Sequence, residues 1–111
     1  MIHLLRERAT CQQIEEMLQT HLIFIKVAVD IRRRTLAGGA SLHSDCEDAL
    51  LNDGSLQQDI WGANWIPASQ EILYESLINI RPGQNNYGMI ITDPLISGQI
   101  AIIIKSLLEE L

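Results

Sequence analysis

DIWGANWI, Asp59 to Ile66, is the stretch on which the fold turns. Extended backbone sends successive side chains to opposite faces, so Asp59, Trp61, Ala63 and Trp65 share one side and Ile60, Gly62, Asn64 and Ile66 the other. At about 3.3 Å per residue the two indoles stand ~13 Å apart, with Ala63 leaving a shallow gap between them. Pro67 has no amide hydrogen to give to a ladder and closes the strand. The chain has only one Phe and two Tyr besides these two Trp, so the direction of the indoles governs where its largest side chains go. If Ile60 and Ile66 face a layer of helices, both tryptophans lie on the far side of the sheet.

The neighbouring segments supply that sheet. IFIKVAVDI, Ile23 to Ile31, has period two: Ile23, Ile25, Val27, Val29 and Ile31 on one face, Phe24, Lys26, Ala28 and Asp30 on the other. Before it, Thr10 and Gln13 fit a capping box, and Ile14, Met17, Leu18 and His21 follow at helical spacing. IHLL at Ile2 to Leu5 reads as a short strand, and the strand–helix–strand order predicts a right-handed crossover with those two strands parallel. RRRTLAGGA turns the chain back into another strand that breaks at Gly38–Gly39. After Pro67, EILYESLINIR reads as a strand with Ile72, Tyr74, Ser76, Ile78 and Ile80 on one face. Leu73, Glu75, Leu77, Asn79 and Arg81 fall on the other. PGQNNYG is a loop, and MIIT, Met89 to Thr92, reads as a last short strand. Asp93 followed by Pro94 opens a closing helix whose stripe is Ile96, Ile100, Ile103, Leu107 and Leu111, widened by Leu95 and Ile102. The expected fold is α+β: a mostly antiparallel mixed sheet of about five or six strands, with three helices packed on its Ile/Val-rich face. Residues 1–111 are expected to form a single compact domain.

Composition excludes several classes. A net charge of −6 opposes nucleic-acid binding, which draws its affinity from neutralising phosphates. Arg32 to Arg34 is the exception, a minor anion-binding reading that would extend to Arg81. The longest apolar run, Ile100 to Ile104, is far short of the ~20 residues that span a bilayer, so no membrane partner is expected. No signal peptide opens the chain, and Cys11 and Cys46 lack CxxC spacing. Both read as reduced thiols in a cytoplasmic protein.

LHSDCEDALL, Leu42 to Leu51, concentrates the remaining chemistry. His43, Asp45, Cys46 and Glu47 offer the pieces of a small hydrolase or metal-dependent enzyme. Three local carboxylates disfavour a Cys46 thiolate, however, and His43 and Glu47 would need partners from elsewhere, such as His3 or His21, to hold a metal. Ser44-x-x-Glu47 instead matches a second capping box, with Cys46, Ala49 and Leu50 as the apolar stripe of a short helix that stops at Asp53–Gly54. On this reading neither a metal nor a cofactor is expected.

The sheet face opposite the helices is the better candidate. Trp61 and Trp65 would lie there with Asp59, Lys26, Asp30, Glu75, Asn79 and Arg81, large apolar groups among opposite charges. Such a mixture suits a protein or small-molecule partner, and self-association above all. The expected function is a non-enzymatic interaction or ligand-binding module, a homo-oligomer joined through this aromatic face.

The linked pattern AVDI…LAGG…LHSDCE…DGS…QDIWGANWIPASQE…ESLINIRP resembles a family of short bacterial proteins known only as a domain of unknown function. The resemblance runs from Ile2 through the final helix and implies a small stand-alone protein. It brings no activity, cofactor or catalytic residue, but its stretches coincide with the regions of His43, Asp59, Trp61 and Trp65.

Overall fold

A computed structural model describes residues 1–110; Leu111, expected on the closing helix stripe, lies outside the described residues. Five strands form one sheet in the order β1–β3–β2–β4–β5: β1 (His3–Leu5), β2 (Ile25–Asp30), β3 (Thr35–Gly38), β4 (Ile60–Ile66) and β5 (Glu71–Leu73). Every pairing is antiparallel. Because β1 and β2 both run against β3 between them, they point the same way, as the crossover implies. The helices are α1 (Cys11–Leu18), α2 (His43–Asn52) and α3 (Pro94–Leu108).

The three arginines make the β2–β3 turn. Asp30 accepts hydrogen bonds from the Arg32 and Arg33 amides, both at 2.9 Å, and Arg34 takes a positive φ of 56°. Their side chains are employed locally: Arg32 Nε donates to Asp59 at 2.8 Å and Arg33 to Asp53 at 2.7 Å. Arg6 adds a second bond to Asp53, and hydrogen bonds from Arg33 and then Arg6 hold that carboxyl below the ordinary range.

Register decides which way β4 faces. Ile25 stands opposite Trp65, Val27 opposite Ala63 and Val29 opposite Trp61. Residues directly opposed in an antiparallel pair share a face, so the indoles join the Ile/Val side of β2. There they pack with Met17 of α1 and with Ile100, Ile103, Ile104, Leu107 and Leu108 of α3. Residues 60–66 are extended as expected, but the rings point toward these helices. Trp61 is 1% exposed and Trp65 0%, which removes the aromatic binding face.

The helices divide between the two faces of the sheet. α1 and α3 cover the Ile/Val side, whereas Cys46 and Leu50 of α2 pack on Ala28, Ala37 and Ile60 of the other. The register explains that seat: Ala28 pairs with Ala37 on one flank and Gly62 on the other, a row of small residues across three strands. Small side chains let a helix approach the backbone closely.

Three other expectations change. The strand predicted through Arg81 ends at Leu73, because Ser76 caps a 3-10 turn at Leu77–Asn79 by accepting from the Ile78 amide. Met89 to Thr92 supplies only a single bridge, Glu75 with Ile90, so the strand count is five. On α3 the buried stripe widens through Ile104 and Leu108, while Leu95 and Ile102 are exposed.

Candidate functional site

β4 needs a partner for its outer edge where β5 is too short to reach. Asn79 provides one: its side-chain amide accepts from the Gly62 N–H at 2.8 Å and donates to the Gly62 carbonyl at 2.9 Å, imitating one peptide of a strand. Gly62 permits the approach, since a Cβ there would lie 2.6 Å from Ser76 Cβ. Arg81 then locks this segment. It donates to the Gln57 carbonyl at 2.7 Å and to Glu47 of α2 at 3.3 Å, and stacks 4.8 Å from the Trp61 ring centre. Burial pushes the Glu47 carboxyl up and the Arg81 guanidinium down, each against the attraction of the other.

The residues of the expected sheet-face site therefore do not converge. Trp61 and Trp65 are core, and Asp59 lies in a 3-10 turn paired with Arg32. Asp30 is buried as the cap of the arginine turn. Asn79 and Arg81 are structural ties of the 76–81 segment. Only Lys26 and Glu75 reach a common space.

The LHSDCE cluster is also divided. The N-cap of α2 is Leu42, with no side-chain cap bond, so the Ser44–Glu47 capping box does not form. Glu47 turns to Arg81, and Asp45 is exposed. Cys46 is buried against the Lys26 carbonyl, and desolvation pushes its thiol up to about 11, the opposite of an activated nucleophile. His43 reaches the sheet: Nε2–H donates to the Ala63 carbonyl at 2.9 Å and to Asn64 Oδ1 at 3.0 Å. Two oxygen acceptors at one nitrogen place the proton there and leave Nδ1 as an acceptor in the neutral ring. Burial lowers the pKa of His43 despite the bond to Ala63, and the Lys26 charge adds to the depression. Among the described residues no group of three or more His, Cys, Asp or Glu side chains is placed to hold a metal ion.

What these pieces surround is a groove of about 790 Å³. It lies on the α2 side of the sheet, where the helix leaves the outer part of the strands uncovered. Phe24, Lys26 and Asn64 contribute from β2, its approach and β4; Leu42 and His43 from the start of α2. Leu73 at the end of β5 and Leu77, Met89 and Ile90 from the segments beyond it complete an apolar surround, and all four are exposed. Its volume falls within the range of ~300–1,000 Å³ typical of small-molecule sites, and a few polar groups amid apolar walls is their usual composition. Glu75 is the only carboxylate in the lining.

Sequence reading found Lys26, Glu75 and His43 but assigned them to two different sites. It did not collect the apolar walls, because Leu73 and Leu77 were read on one strand running through Arg81 and Met89–Ile90 on a separate last strand. The available signal was the spacing of Leu73 and Leu77, on the face opposite Ile72 and Ile78 in the alternation.

A family model described as Protein of unknown function (DUF5674) matches residues 3–107, nearly the whole chain. No curated protein and no solved structure matches it.

Proposed function

We propose, for a chain that belongs to the DUF5674 family, a role as a non-enzymatic binding module that holds its ligand in the groove beside the start of α2. One observation carries this reading. Exposed apolar side chains from three separate segments, Leu42, Leu73 with Leu77, and Met89 with Ile90, surround a concavity whose lining includes Lys26, Asn64 and His43. Isolated exposed leucines need no explanation, but a ring of them around polar groups is the pattern of an interaction site. The hydrolase alternative finds no support at Cys46, which is buried with its thiol pushed up to about 11. Amide-shift mapping of a fragment mixture by NMR tests the proposal. Shifts should concentrate at residues 24–26, 42–44, 72–78 and 89–91, and hits scattered elsewhere, or none, would refute it.

Self-association is a second reading, now through the groove's apolar rim rather than the tryptophans. Sedimentation velocity over a hundredfold concentration range checks it: Leu77→Glu, at an exposed rim position, should abolish any dimer formed this way.

A further inference from the structure

The polar groups of the groove are not evenly mixed. Lys26 lies directly across the ladder from Asn64, and Asn64 accepts from His43, so the three form one patch. Among the described residues the Lys26 ammonium has no ion-pair partner, and it is the Lys or Arg side chain that lines this groove. Lys26 is half-buried and lines the groove among apolar side chains, where an anionic group entering the groove would meet its ammonium. Glu75, the one carboxylate nearby, is exposed and not paired with it. The protein is otherwise acidic, at −6, so an unmatched cation in this groove is set against the general field.

Resting on the groove reading above, we infer that the groove takes a small amphipathic monocarboxylate. The carboxylate meets Lys26 at the patch it forms with Asn64 and His43, and the hydrocarbon body lies along Leu42, Leu73, Leu77 and Ile90. A charge-assisted bond from the ammonium to the carboxylate supplies selectivity, and apolar burial supplies most of the affinity.

Octanoate and 1-octanol, identical in apolar body, separate the parts of this inference. In amide-shift titrations octanoate should perturb the groove residues and bind about tenfold more tightly than 1-octanol, the usual scale of one charge-assisted hydrogen bond. Lys26→Met keeps an unbranched stem and removes the charge, so it should erase that tenfold preference. Lys26→Arg should retain the preference, and tryptophan emission of each variant checks that it is folded. Equal binding of the two probes, or a preference that survives Lys26→Met, overturns the carboxylate inference while the groove reading stands. If neither probe shifts groove amides, the groove reading itself falls. If the wild type is a dimer in which Leu77→Glu frees the groove, the occupant is a second copy and the inference is overturned.

Discussion

Cys46 shows how a residue type misleads until its surroundings are known. Beside a histidine and a helix start it resembles a nucleophile; beneath α2, against Ala28 and Ile60, it is a small hydrophobe. Its thiol titrates at about 11 rather than 9.0, so the unfolded chain loses this proton first. Stability from this group is complete below pH 9 and drains away as pH rises toward 11, by roughly 3 kcal/mol over two units. Urea unfolding at pH 8 and pH 10.5 should reveal that loss in the wild type and not in Cys46→Ala. A thiol reagent at pH 8 should count one reactive cysteine in the native protein, the exposed Cys11, and two after unfolding. Gly62 and Asn79 make the complementary point. Neither looked structural in sequence, yet the missing Cβ of one admits the amide of the other to the sheet edge.

Local signals within elements fared unequally, and the two capping boxes show why. At Thr10 the reciprocal bonds form: Gln13 N–H donates to Thr10 Oγ1 at 3.1 Å and Thr10 N–H to Gln13 Oε1 at 2.9 Å. At Ser44 the same pattern fails, because α2 starts at His43, two residues earlier than a Ser44 cap requires, and Glu47 is drawn to Arg81. Thr10→Ala should therefore cost about 1 kcal/mol, whereas Ser44→Ala should stay within about 0.5 kcal/mol. Denaturant midpoints of the two variants distinguish these outcomes. The helix start is displaced by His43, whose ring must reach Ala63 and Asn64 on β4, a tertiary demand that no local motif encodes. β5 is the other case: alternation continues in sequence through Arg81, but Ser76 caps a 3-10 turn and the strand stops.

For the whole molecule the governing fact is that both faces of the sheet are covered, by α1 and α3 on one side and α2 on the other. Both indoles lie under the first pair of helices, so native fluorescence should be blue-shifted and weakly quenched by acrylamide, moving to the solvent-exposed wavelength only on unfolding. Trp65→Ala should destabilise by about 3–5 kcal/mol, the range for emptying a large aromatic site in a packed core. Retained stability with an already red-shifted wild-type emission would contradict this placement. No helix among the described residues is long and apolar enough to cross a membrane.

Period and composition by themselves determined the α+β class, the identity of β1 to β4, the turn at the three arginines and the three helices, because hydrophobic alternation and caps are properties of neighbouring residues. They also determined that Trp61, Ala63 and Trp65 share a side. Which side that is, they left open: Ile60 and Trp61 are both apolar, and either face of β4 could have met a core. The register with β2 chose, setting Trp65 against Ile25, and the small row of Ala37, Ala28 and Gly62 drew α2 to the opposite face. The groove follows from that second choice, since it is the part of the α2 face that the short helix leaves bare, and burial of this kind depends on contacts between residues far apart in the chain.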